Sequence, residues 1–442
     1  MKNYPIYKPA EMVQTKYLFF TGKGGVGKTS VACATAVQLA DQGKSVFLIS
    51  TDPASNLQDV FETTLDNKGV LIKEVPNLVV ANLNPEEAAA EYRESVVGPY
   101  RRKMPESVIA SMEEQLSGSC TVEIASFNEF AHFITDKSIN DAYDIIIFDT
   151  APTGHTLRML ELPSAWDSFI DESTHGASCL GQLSGLGDKK EMYAHAVKTL
   201  SDPQKTTLLL VTRPEKAPLE EAARASGELF DIGVKHQGLI INGLLMAEDK
   251  EDPVARAFYE KQQQALEVVP AGLQTLKTTM IPLRSYNIGG IANIRDLLVK
   301  EKALAEVKPE NSADFKALSA LIEDLYHKKK RVIFTMGKGG GGKTTTALLI
   351  AKGLAERGEK VHLTTTDPAG YITTDLVEEE NITISNIDEA LELEKYKTEV
   401  LKKAMEGGAS KEDIDYIEED LRSPCTQEIA SFRAFAEIVE KS

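Results

Sequence analysis

A doubly wound α/β fold built on a parallel sheet, present twice in one chain and incomplete the second time, is what the sequence predicts. Three observations predict it. Short apolar runs alternate with helical patterns, a long internal repeat spans both ends of the chain, and a glycine-rich turn sits at the same place in each copy.

The runs "YLFF", "SVFLIS", "NLVVANL", "DIIIFDT", "TLLLVT" and "GLIIN" are apolar throughout, as strands covered on both faces must be. Between them, stretches such as "SVACATAVQLADQG" have helical spacing and end at glycine. Strand–helix alternation gives parallel strands joined by helical crossovers. Residues of about 85–140 interrupt that rhythm with a longer, mostly helical insertion.

The repeat pairs "KYLFFTGKGGVGKTSVACATAVQLADQGKSVFLISTDPA" (16–54) with "RVIFTMGKGGGGKTTTALLIAKGLAERGEKVHLTTTDPA" (331–369). Lys28 aligns with Lys343 and Asp52 with Asp367 at one common separation, and Cys120 aligns with Cys425 at a slightly shorter one. The division expected is a first half over 1–294, a charged linker over 295–330 and a partial second half over 331–442. No counterpart of "DIIIFDTAPTGHT" follows in the second copy, and the chain stops in a helical pattern, so the sequence reads as truncated or partial.

Composition bounds the function. The 442 residues are 42% hydrophobic and 26% charged, as in a soluble globular protein. A net charge of −18 and a pI near 5.0 exclude non-specific nucleic-acid binding, which needs a basic face. The four cysteines are scattered and include no CxxC, which argues against a disulfide framework or structural zinc and for free thiols in the cytoplasm. The first twenty residues lack the apolar core of a signal peptide, and no run reaches the roughly 20 apolar residues of a membrane span. Direct membrane insertion is therefore not expected, and any membrane role runs through a partner.

"GKGGVGKT" (Gly22–Thr29) and "GKGGGGKT" (Gly337–Thr344) both fit the phosphate-binding loop G-x-x-x-x-G-K-[ST], each after an apolar strand and before a helix. This makes the fold a P-loop NTPase and the ligand ATP with Mg2+. Glycines Gly22, Gly24, Gly25 and Gly27, like Gly337, Gly339, Gly340 and Gly342, let successive N–H groups converge on a phosphate, and the helix that follows adds its positive end. Lys28 and Lys343 are placed at the β- and γ-phosphates, Thr29 and Thr344 at Mg2+, and Ser30 and Thr345 beside them. Asp52, with Asp367 as its repeat, ends a strand where a carboxylate orients the attacking water. Asp149 ends another as the carboxylate behind Mg2+, and Gly154 follows in a loop fit to respond to the γ-phosphate. The second loop departs from the first by having Gly341 in place of Val26, which adds backbone freedom. Without a second equivalent of Asp149, hydrolysis there is not expected.

The "KGGxGK" form, with Lys23 and Lys338 after the first glycine, resembles the deviant loop of the septum-site, plasmid-partition, nitrogenase iron-protein and arsenite-pump ATPases. That resemblance implies that the early lysine serves the nucleotide across a dimer-like interface. "DTAPTGHTLRMLELPSAW", "SGSCTVEIASFNEF", "HGASCLGQLSGL" and "LRSPCTQEIASFRAF" together resemble the arsenical pump-driving ATPases over essentially the whole chain. The resemblance implies a cytoplasmic ATPase stimulated by As(III) or Sb(III), acting through a membrane permease for arsenite and antimonite, with a metallochaperone delivering As(III). It carries the metalloid thiols onto Cys120, Cys179 and Cys425, with Ser423 and His155 as weaker ligands; His155 is otherwise a switch-loop residue. It also carries the base contacts onto Asn242 and Pro282.

The chemistry of the cysteine contexts agrees. Trivalent arsenic is soft and takes about three thiolates. Ser423-Pro424 reads as a helix N-cap followed by proline, placing Cys425 in the first turn where the dipole favours thiolate, and Cys120 has the same setting. Cys33 reads as an inert buried thiol. Two other classes share part of the pattern: ATPases that target tail-anchored membrane proteins, which share "DTAPTGHTLR", and partition or positioning ATPases. The first lacks its zinc CxxC and a Met-rich groove here, and the second its membrane helix or basic surface.

Overall fold

The computed structural model describes residues 4–52, 57–150, 189–246, 251–286, 288–299, 316–337, 341–365, 381–422 and 426–440. They fall into two units, one within 4–299 and the other within 316–440.

The first unit holds an eight-stranded sheet. Its strands are β1 (Tyr17–Thr21), β2 (Val46–Ser50), β3 (Val70–Leu71), β4 (Leu78–Asn82), β5 (Ile145–Asp149), β6 (Thr206–Thr212), β7 (Gln237–Leu244) and β8 (Lys277–Pro282), in the order β3-β4-β2-β5-β1-β6-β7-β8. Every pairing is parallel except that of the two-residue edge strand β3 with β4. β1, β2, β5, β6 and β7 are buried along their whole length, which is why their sequences are continuous apolar runs. The doubly wound parallel fold is the one the sequence predicts. Two strands escaped that reading, β3 because it has two residues and β8 because an edge position leaves Lys277 in solvent.

Helices cover both faces. Those of seven residues or more are α1 (Lys28–Asp41), α2 (Pro85–Val97), α3 (Glu106–Gln115), α4 (Ser119–Thr135), α5 (Lys190–Leu200), α6 (Lys216–Asp231), α7 (Pro253–Glu267) and α8 (Ile291–Leu297). One face packs α1: Leu18 and Phe20 of β1, Leu48 of β2 and Ile147 of β5 meet Val31, Ala32 and Val37. The opposite face is aromatic. Phe19 stacks on Phe148 with centroids 4.6 Å apart and planes 4° from parallel, and Phe130 of α4 sets its edge against both. Phe133 of α4 meets Phe47 of β2 at 5.4 Å, and Phe127 meets Tyr193 of α5 at 4.9 Å. The spacing of Phe127, Phe130 and Phe133 puts one face of α4 on the sheet, so the helix that begins at the cysteine motif is fastened to the strands carrying the P-loop and Asp149.

In the second unit, α9 (Leu318–His327), α10 (Lys343–Ala355), α11 (Glu389–Glu406), α12 (Lys411–Asp420) and α13 (Thr426–Glu440) accompany two parallel strands, β9 (Val361–Thr365) and β10 (Ile382–Asn386). A small core of Ile322, Ile350 and Leu354 joins α9 to α10. The sequence leads an apolar strand into the second loop, and here the structure corrects it. Among the described residues, 331–337 form no strand, and Phe334 and Met336 are 63% and 88% exposed. The reason is pairing: β1 is held between β5 and β6, whereas among the described residues of 331–442 the sheet is the pair β9–β10, which does not take in 331–337. An apolar run without neighbours cannot satisfy its backbone as a strand.

Candidate nucleotide site

β1 lies between β5 and β6, and the chain leaves it towards β2 on one side before returning through β6 on the other. That reversal opens a crevice at the carboxyl ends of the strands, the place where open α/β sheets bind ligands. The P-loop fills the turn from β1 into α1. Gly22 has φ +149°, and a Cβ there would stand 2.1 Å from the Val211 carbonyl oxygen on β6. Gly27, the N-cap of α1, has φ +91°, and its Cβ would stand 2.3 Å from Asn242 Nδ2. Only glycine fits either position. No side chain caps α1, so the N–H groups of its first turn face the loop's concavity, as an anion site requires. Changing Gly22 to Ala is expected to destabilise the first unit by about 1–3 kcal/mol, visible as a lower urea midpoint.

Val26 pins the loop from below. It is 2% exposed and belongs to the core between α1 and the sheet. Its carbonyl accepts a hydrogen bond from Asn242 Nδ2 at 2.8 Å. Lys28 begins α1 and is 6% exposed, while Thr29 and Ser30 in the same turn and Lys23 and Gly24 in the loop are half-buried. Gly25 turns the loop with φ +83°.

Asp149 ends β5 with its side chain buried, and its backbone carbonyl accepts from Thr51 N–H at 3.0 Å, tying the ends of β2 and β5 together. Alternation along β5 puts Asp149 on the α1 side with Ile145 and Ile147. Its carboxylate is near enough to α1 to act on Cys33, whose thiol is pushed well up by burial first and by Asp149 second. Cys33 thus stays a protonated core thiol. Asp52 follows β2, half-buried, with its N–H donating to Ser50 Oγ at 3.2 Å. Asn242 lies near the end of β7, and Pro282 ends β8 opposite Leu244. The sheet therefore gathers Gly22–Ser30, Asp52, Asp149, Asn242 and Pro282 along one edge. A buried carboxylate on the same side as the first turn of α1 is the pair of oxygens a Mg2+ ion beside a phosphate would use, so the donor set fits that ion.

The second loop is built differently. Gly337 and Gly342 repeat the positive φ values, at +158° and +79°, and Gly342 caps α10 as Gly27 caps α1. Lys343 is half-buried, whereas Thr344, Thr345 and Gly341 are exposed. Lys338, Gly339, Gly340 and Asp367 lie outside the described residues, as do Gly154, His155, Cys179, Ser423 and Cys425. Cys120 is in the first turn of α4, whose N-cap is Gly118. No described helix is long and apolar enough to cross a membrane. Two contributors to the site carried no motif: the Val211 carbonyl, which any residue could supply, and Gln262, a polar residue on the buried stripe of α7. The second had no decisive signal, since Gln262 and Gln263 both fall in helical step with the buried Tyr259 and Leu266.

Comparison with known proteins places this geometry. A family profile described as anion-transporting ATPase matches residues 15–300 and 330–442. An arsenical pump-driving ATPase of Escherichia coli is 46% identical over 96% of this chain and 74% of its own length. A putative arsenical pump-driving ATPase of Halobacterium salinarum is 34% identical over 97% of the chain and 70% of its own. The ATPase GET3 of Lodderomyces elongisporus is 30% identical over 66% of the chain and 91% of its own length.

Proposed function

Since the chain belongs to the anion-transporting ATPase family and is an ATP hydrolase, we propose that its hydrolysis is stimulated by As(III) or Sb(III) and energises their efflux through a membrane permease. The observation that carries the reading is the placement of Cys120 in the first turn of α4, a helix bolted by its phenylalanines to the strands that end in the P-loop and at Asp149.

In this reading the backbone N–H groups of Gly22–Thr29 and the Lys28 ammonium hold the β- and γ-phosphates, with Lys343 and its loop as the second site. Asp52 orients the attacking water, and Asp367 stands in its place in the repeat. Thr29 and Asp149 would hold Mg2+, with Thr344 its counterpart in the second loop; when bound, the ion neutralises charge on the phosphate oxygens. Asn242 and Pro282 flank the base. Lys23 and Lys338 serve the opposite site when the halves, 1–294 and 331–442, close on each other. Cys120, Cys179 and Cys425 supply soft thiolates to the metalloid as cargo and activator, assisted by His155 and Ser423. The protein works in the cytoplasm, at the membrane through its permease, and receives As(III) from a metallochaperone.

Phosphate release with and without arsenite tests the proposal. The rate is expected to rise several-fold with arsenite, and the rise to vanish in Cys120→Ser and Cys425→Ser while the basal rate persists. No stimulation, or stimulation unchanged in both variants, overturns it.

A further inference from the structure

We propose that Gln262 is a positioning residue of the nucleotide site, holding a β-bulge that aims Asn242 and so sets the preference for one base over another. The proposal rests on the reading of this crevice as the ATP site.

β7 and β8 pair in regular register to Asn242 opposite Ile281, after which the register slips and Leu244 faces Pro282. Gly243 is the extra residue, with φ +78°. A bulge leaves backbone groups out of the ladder, and buried orphans are costly. Gln262, on α7 and 1% exposed, engages both sides of this one. Its Nε2 donates to the Gly243 carbonyl at 3.1 Å, and its Oε1 accepts from Leu245 N–H at 2.9 Å. One donor and one acceptor on a single rigid plane are what a primary amide supplies and what an apolar or carboxylate side chain does not.

The consequence passes to Asn242. Its Nδ2 donates to the Val26 carbonyl, and it lies so close to Gly27 that no Cβ fits between. A carbonyl only accepts, so the nitrogen of the Asn242 amide must face the P-loop and Oδ1 is left as the acceptor. An acceptor matches the exocyclic amine of an adenine and opposes the 6-oxo group of a guanine. Discrimination of that kind depends on buried polar groups being fixed in place. The phosphates are held by loop glycines and Lys28, which Gln262 does not touch. Asn242 meets the loop only through the Val26 carbonyl and Gly27, so the larger effect of Gln262 falls on the base.

The experiment compares binding of ATP, GTP and inorganic tripolyphosphate to wild type, Gln262→Met and Gln262→Glu by calorimetry, with circular dichroism reporting the fold. The methionine keeps volume and removes both hydrogen bonds; the glutamate keeps only the acceptor for Leu245 N–H. Expected in Gln262→Met is an ATP Kd about tenfold weaker, with GTP and tripolyphosphate within about twofold of wild type. The ATP/GTP ratio falls in that variant and takes an intermediate value in Gln262→Glu. A ratio equal to that of wild type in the variants overturns the positioning role, as does an equal loss for all three ligands, which marks a merely structural effect. If Gln262→Met does not fold, the ratio in Gln262→Glu decides. Wild type that binds tripolyphosphate but prefers neither nucleotide overturns the base-reading role of Asn242 and this proposal with it; wild type that binds none of the three overturns the nucleotide site itself.

Discussion

Replacing Lys28 by methionine is expected to lower ATP hydrolysis by about 100-fold or more and leave the first unit folded. Lys28 starts α1 directly after the left-handed Gly27, and only 6% of the residue is exposed. A buried ammonium is kept out of water at a cost, and the fold tolerates that where the charge is used. Methionine fills a similar volume without the charge, so the change removes the electrostatic contribution and keeps the packing. Steady-state phosphate release checks it, with a thermal melt confirming the fold. A variant retaining a third of the wild-type rate would show that Lys28 does not act on the phosphates in the transition state.

Truncating Phe148 to alanine is expected to destabilise the first unit by about 3–5 kcal/mol. Phe148 is fully buried, stacks face to face on Phe19 and takes the edge of Phe130, so its removal leaves a cavity bounded by two strands and α4. None of these neighbours is a chain end that could collapse into the gap. Because Asp149 is the next residue, hydrolysis should fall along with stability. Urea unfolding of the first unit gives the number. A loss below about 1 kcal/mol would mean that α4 relaxes onto the sheet and that the aromatic layer is not a continuous packed unit.

The central strands were legible because both their faces are covered, which forces an apolar residue at every position from Tyr17 to Phe20 and from Ile145 to Phe148. The P-loop was legible because phosphate binding constrains backbone, and glycine is how a sequence records that constraint. β8 was not, since only Thr279 to Ile281 of its six residues are buried. The strand expected before the second loop failed for the complementary reason: apolar composition states a wish to be buried, but the partners that grant it come from distant sequence. Gln262 was hidden among three glutamines, because its role depends on a slip in register between β7 and β8 that no local pattern announces.

The valine beneath the first loop has a counterpart only in name. Val26 is held in the core, whereas Gly341 at the same place in the second loop is exposed and has no side chain to hold. Glycine in place of an anchored residue widens the unliganded ensemble by about 0.4–1 kcal/mol, before the absence of a supporting strand is counted. At this position the first loop thus has an anchor in the core that the second lacks.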